Sequence, residues 1–120
     1  MWEVEYTDEF GLWWKRLSEQ EQIDLVASVE LLEQLGPQLS RPHSDTIKGS
    51  KYTNMKELRT QCKGKPLRTF YVFDPRRSAI LLIGGDKTGD DRFYEKMIPL
   101  ADRLYEEHLI SISKEELNNG

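Results

Sequence analysis

Two arginines, Arg59 and Arg68, are the side chains in this 120-residue chain best suited to act on an anion. A guanidinium presents paired donors in a fixed plane and never loses its charge, so two of them can grip a phosphate, or the crowded phosphorane formed from it, from two sides. Their surroundings are basic. From Arg41 to Arg77 the chain carries ten Lys and Arg, including Lys56, Arg76 and Arg77, against only Asp45, Glu57 and Asp74. Both flanks are acidic, and the formal net charge is −4. A basic segment on an acidic body is the electrostatic footprint of a phosphate-binding surface. The same charges also fit an ordinary solvated face, with each arginine paired to an acidic helix.

Composition narrows the function classes. At 38% hydrophobic and 32% charged residues, 120 positions suit one folded domain, expected over residues 1–109 with a C-terminal tail at 110–120. Cys62 is the only cysteine, which excludes an internal disulfide, and with His43 and His108 it supplies too few soft ligands for a structural zinc site. The longest apolar stretch, Ala79 to Ile83, is too short to cross a bilayer, and the acidic start MWEVEYTDEF is unlike a signal peptide. The expectation is a cytoplasmic protein with no membrane partner.

Strands must position the arginines. Three strand-like runs, Lys56 to Cys62, Leu67 to Phe73 and Ser78 to Ile83, are separated by Lys63-Gly64-Lys65-Pro66 and Asp74-Pro75-Arg76-Arg77. With four-residue turns, Arg59, Gln61, Arg68, Phe70, Val72, Leu81 and Ile83 share one face, and Leu58, Leu67, Tyr71, Phe73, Ile80 and Leu82 the other. Arg59 and Arg68 then lie diagonally on neighbouring strands, within reach of a common anion.

Ahead of this meander, Trp2 to Tyr6 alternates like a half-buried strand, and Thr7 or Asp8 can cap a short helix bearing Phe10, Trp13, Trp14 and Leu17. Ser18 and Glu21 form a capping box for a second helix, whose apolar positions Ile23, Val26, Ala27, Leu31, Leu32 and Leu35 end at Gly36-Pro37. Residues 38–55 read as loop with room for a short strand. The Gly-rich segment Gly84 to Asp90 lacks the spacing of a nucleotide-binding P-loop. Asp90 or Asp91 can cap a last helix striped with Phe93, Met97, Leu100, Ala101 and Leu104, which Pro99 should kink or restart. The tail is expected to add one turn and fray.

This order, with KELRT, PLRTFYVFD, ILLIGGDKTGD and RFYEKMIPLADRLYEEH, resembles the RelE/HigB toxin superfamily, in particular its phage-derived HigB-like branch. The resemblance extends to about Leu109. It implies an α+β fold of order β-α-α-β-β-β-α, a helical hairpin and a C-terminal helix around a small, mainly antiparallel sheet. It also implies the toxin of a bacterial type II toxin-antitoxin system, a metal-independent and cofactor-free endoribonuclease that cuts mRNA on translating ribosomes. Partners would be a cognate antitoxin, expected to be a helix-turn-helix protein, together with mRNA and the ribosome; oligomeric state stays open.

Carried onto this chain, the family's catalytic residues match Arg59, Arg68 and Lys87, while Tyr94 or Phe93 stands where related toxins stack an aromatic ring on a base. Lys56, Phe70, Arg76, Arg77 and Tyr94 are the candidate substrate contacts, and Lys56 is the reserve for Lys87. The chemistry would be attack of an RNA 2′-hydroxyl on the adjacent phosphate. The arginines suit stabilisation of the anion and are poor bases; Lys87 can exchange protons if burial and neighbouring cations lower its pKa. One departure is the sequence pI near 5.2, low for a protein that docks on ribosomal RNA. Two other readings remain open here: a ParE-like inhibitor of DNA gyrase, and an RNA-binding module without catalysis.

Overall fold

A computed structural model describes residues 1–119. A five-stranded sheet runs through its middle in the order β1 (Val4–Tyr6), β5 (Ala79–Asp86), β4 (Lys65–Phe73), β3 (Lys56–Cys62), β2 (Ser44–Thr46). The β2–β5 ladder is antiparallel, and β1 alone pairs parallel, to β5. Helices α1 (Asp8–Arg16) and α2 (Glu19–Leu35) cover one face and α3 (Phe93–Asn119) the other. The expected α+β architecture is present, with β2 as an added edge strand inside the segment read as loop. Among the described residues no helix is long and apolar enough to cross a membrane.

The local signals that start α1 and α2 act as their chemistry predicts, whereas α3 begins at Phe93, two residues past the expected Asp91, and Asp90 accepts from the Arg92 N–H at 3.0 Å. Thr7 caps α1 by accepting from the Phe10 N–H at 3.0 Å, and its own hydroxyl donates to the Leu82 carbonyl at 2.6 Å, fastening the helix to β5. Ser18 and Glu21 form the full capping box of α2, with reciprocal bonds of 2.8 and 3.1 Å. Trp13 lies against Gly84, where any side chain would collide with the indole. Pro99 sits inside α3, yet the helix continues to Asn119 and buries Ile112 against the body, where a fraying tail was expected.

The register differs from the sequence reading in both hairpins. Lys63 and Gly64, with φ of 47° and 84°, form a two-residue turn, so Cys62 faces Lys65 and Arg59 sits directly opposite Arg68. Pro66 therefore belongs to β4. Its missing N–H falls at the end of the β4–β5 ladder, opposite Lys87, where the Pro66 carbonyl accepts from the Lys87 N–H at 3.2 Å. The second connection is one residue longer than expected: Phe73 pairs with Ala79, with Arg77 left-handed at φ 69°. That single residue inverts the start of β5, placing Leu81 with Tyr71 against α1 and α2, and Ile80 and Leu82 with Val72 under α3. A bulge at Phe70/Tyr71 then returns Ile83 to the α3 side.

Helix α2 also departs from its expected apolar face. Leu25 and Leu32 are fully buried, whereas Ile23, Val26 and Leu35 face outward.

Candidate functional site

The site begins with the Arg59–Arg68 pair. The Arg59 N–H turns away from β4 to the His43 carbonyl at 2.8 Å, so this is a non-hydrogen-bonded cross-strand pair. In such pairs the Cα atoms approach to about 4.5 Å and the side chains lie close together. Two like charges so placed would repel, and a buried carboxylate lies between them. Glu57, two residues before Arg59 on the same face, has a side chain only 5% exposed, against 31% for Arg59 and 11% for Arg68. Its Oε2 accepts from Arg59 Nε and Nη2 at 3.4 Å, and its Oε1 lies 3.6 Å from Arg68 Nε.

Helix α3 completes the cluster. Tyr94 donates its phenolic hydrogen to Glu57 Oε1 at 2.7 Å, and the Lys87 ammonium lies 5.4 Å from the centre of the Tyr94 ring, within cation–π range. Burial and then the bond to Glu57 push the Tyr94 hydroxyl above its ordinary value, so it stays a proton donor at neutral pH. Beneath it Phe70 is fully buried, edge-on to Tyr94 and stacked with Phe93 at 6.0 Å. Arg68 holds one further bond, from Nη1 to the Leu67 carbonyl at 3.0 Å, and its buried Nε has no hydrogen-bond partner within range.

The structure thus brings together Arg59, Arg68, Lys87 and Tyr94 and separates the other candidates from them. Lys56 is on the opposite face of β3, reaching the Pro37 carbonyl at 3.4 Å. Phe70 is the floor under Tyr94 and presents no free ring face to a base. Arg76 and Arg77 are at the far end of the sheet, in the β4–β5 connection. Arg76 bridges Asp74 and Glu5 at 2.8 and 2.9 Å, and Arg77 lies over the Trp2 ring. Part of the basic segment is accordingly neutralised by the acidic flanks, as in Lys65–Glu21 and Arg76–Glu5.

Glu57 was missed as a site residue. Its signal was available in Glu57-Leu58-Arg59, since alternation in a strand puts the carboxylate and the guanidinium on one face.

Chemically, the cluster offers two fixed cations, a buried carboxylate able to accept a proton, a phenol able to donate one, and a lysine at the rim. It sits beside the open outer edge of β3, because β2 pairs only with Lys56–Leu58.

Comparison with known proteins gives the family. A family model described as phage-derived protein Gp49-like matches residues 12–106. The Mycobacterium tuberculosis (strain ATCC 25618 / H37Rv) protein designated toxin HigB3 is 42% identical over 100 residues, covering 82% of this chain and 86% of that protein. Toxin HigB2 of the same strain is 41% identical over 99 residues, 80% of this chain but only 49% of its own length. In fold, the chain is similar to the isolated E. coli RelE toxin, with a TM-score of 0.59 at 9% identity over 81% of this chain and 96% of RelE. A free RelE mutant gives 0.56, again at 9% identity, over 80% of this chain and 94% of that one. The fold, the family match across most of the chain and the identity to both HigB proteins agree: this chain belongs to the Gp49-like family of RelE/HigB-type toxins.

Proposed function

We propose that the chain is the toxin of a type II toxin-antitoxin pair and that it cleaves mRNA on translating ribosomes at the Glu57–Arg59–Arg68–Tyr94 cluster. The observation that carries this reading is the direct Arg59–Arg68 pair with a buried carboxylate and a phenol bonded into it. An RNA phosphate entering between the guanidiniums replaces Glu57 as their partner. The released carboxylate then accepts the 2′-hydroxyl proton as that oxygen attacks phosphorus, while the arginines carry the charge of the phosphorane. The P–O5′ bond breaks, the 5′-oxygen takes a proton from Tyr94 or Lys87, and a 2′,3′-cyclic phosphate remains. The acidic flanks weaken long-range attraction to any RNA, so docking on the ribosome rests on the local charge of Arg59, Arg68 and Lys87.

The test is incubation of purified toxin with programmed ribosomes, followed by analysis of RNA ends. Cleavage with cyclic phosphate termini is expected. Intact mRNA in the ribosome complex, alongside inhibited gyrase supercoiling, would replace this reading with the gyrase one.

The cognate antitoxin is proposed to dock on the opposite layer. A groove between β1, α1 and α2 is lined by Val4, Tyr6, Leu12, Trp14, Val26 and Val29, and its charged residues are Asp8, Glu30 and Glu33 against the single cation Lys15. Leu12 and Val26 are 63% and 42% exposed. An apolar trough with a net acidic lining fits an amphipathic antitoxin helix carrying Lys or Arg, and leaves the arginine pair uncovered.

A further inference from the structure

A second concavity touches the arginine pair from the side. It is a cleft of about 570 Å³ between α2 and the outer edge of β3, and Arg59 and Arg68 form one of its walls. Its volume lies within the range of small-ligand sites. Asp24, Ala27, Ser28 and Leu31 of α2 line one side and His43 and Gln61 the other.

The edge of β3 gives this cleft its chemistry. Arg59 turns its N–H outward to His43 and its carbonyl toward the Ser28 hydroxyl, at 2.8 and 3.5 Å. Backbone direction alternates along a strand, so two residues further on Gln61 also points both its N–H and its C=O outward. There β2 has already ended, having paired only as far as Leu58. Gln61 therefore presents a donor and an acceptor side by side into the cleft, the pattern that reads the edge of a nucleobase. Leu31 and the Ala27 methyl supply an apolar wall for the base plane, and the exposed His43 imidazole stands at the mouth.

We propose that this cleft is a nucleoside subsite: a phosphate held by Arg59 and Arg68 places its adjoining base against α2, with the base edge on the Gln61 backbone. The inference rests on the reading of Arg59 and Arg68 as a phosphate site and extends it to the part of the nucleotide that carries sequence. The cleft would then bias which residue adjoins the cut.

The experiment is titration of ¹⁵N-labelled protein with inorganic phosphate and, separately, with the four nucleoside 3′-monophosphates. Both probes should move the Arg59 and Arg68 Nε–H resonances. Only the nucleotides should move the Gln61 and Ser28 amides, and the best nucleotide should bind at least about tenfold more tightly than phosphate. Ala27→Trp, at an exposed position of α2, should fill the cleft and reduce nucleotide affinity to that of phosphate while leaving phosphate binding unchanged. Equal affinities with identical shifted residues would overturn the subsite and leave the phosphate site standing. If no probe moves the arginine resonances, the phosphate site falls and the subsite with it.

Discussion

Replacing Tyr94 by Phe isolates the bond on which the geometry of the cluster depends. The substitution keeps the ring, its contacts with Phe70 and Phe93, and a face for Lys87, and it removes only the hydroxyl that donates to Glu57 at 2.7 Å. A hydrogen bond to a charged group contributes about 1.5–3 kcal/mol, and with the phenol partly exposed a value of about 2 kcal/mol is expected. For 120 residues, an unfolding entropy of about 0.25 kcal/mol/K turns this into a fall in Tm of roughly 8 °C.

Glu57→Gln and the double variant close a thermodynamic cycle, in which coupling of about 1.5–2 kcal/mol should appear. The pH dependence has a definite sign. Burial and Glu57 raise the Tyr94 pKa in the folded chain, so its stabilising effect is complete below the unfolded value near 10 and is lost as pH rises through the folded value. The stability gap between wild type and Tyr94→Phe should therefore be constant through neutral pH and narrow in alkali. Calorimetry across pH reads both quantities. A Tm change below about 2 °C with no coupling to Glu57 would refute the clamp.

Arg59→Ala and Arg68→Ala should each lower cleavage about 10²–10³-fold, the effect of removing one preorganised donor to an oxyanion. Arg68→Ala should also lower Tm more, because Arg68 is the more deeply buried partner of Glu57; equal Tm losses would argue against that burial. Lys87→Ala is expected to reduce cleavage more than Lys87→Arg, which retains a cation beside Tyr94; equal losses would make proton transfer the main role of Lys87, and unchanged cleavage in both would remove it from the site. At the other end of the sheet, Asp74 has a fully buried carboxylate. Burial raises its pKa, but bonds from His108, the Ser78 N–H and Arg76 outweigh this and hold it below the usual carboxylate value. Its stabilisation is thus present above the unfolded pKa near 4 and lost as pH falls through the folded one, so Asp74→Asn should cost about 1–3 kcal/mol at neutral pH, since Arg76 is partly exposed and keeps Glu5, and should flatten acid unfolding. Leu12→Lys and Val26→Lys should weaken antitoxin binding at least about tenfold, read by calorimetry, with cleavage by the free toxin unchanged; unaltered affinity would move the docking site elsewhere.

The starts of α1 and α2 were legible because they depend on neighbours in sequence. Thr7, Ser18 and Glu21 announce their caps, and alternation alone puts Arg59 and Arg68 on one face. Register was less so. Pro66 reads as a turn residue in sequence, and only the two-residue Lys63-Gly64 turn with both residues left-handed shows that it belongs to the strand. One extra residue in the β4–β5 connection was enough to misplace Ile80, Leu81 and Leu82, because strand side chains alternate with period two. The outward face of α2 was misread for a related reason: Ile23, Val26 and Leu35 recur at helical spacing as a core face would, and apolar periodicity does not distinguish burial in the chain's own core from a surface left for a partner. Arg76 and Arg77 were drawn toward the site by charge, although their partners Asp74, Glu5 and Trp2 lie far from them in sequence or across a turn that composition does not resolve.

The most direct measurement is induction of wild type and of the Arg59→Ala/Arg68→Ala double variant at equal soluble level in bacteria, followed by mapping of RNA 5′ ends. Growth arrest by wild type, with new ends confined to translated regions and absent from the double variant, is the predicted result. Arrest by the double variant as strong as by wild type, or wild-type arrest with DNA-damage signalling and intact mRNA, would contradict the assignment of the arginine pair as the centre of an mRNA-cleaving site.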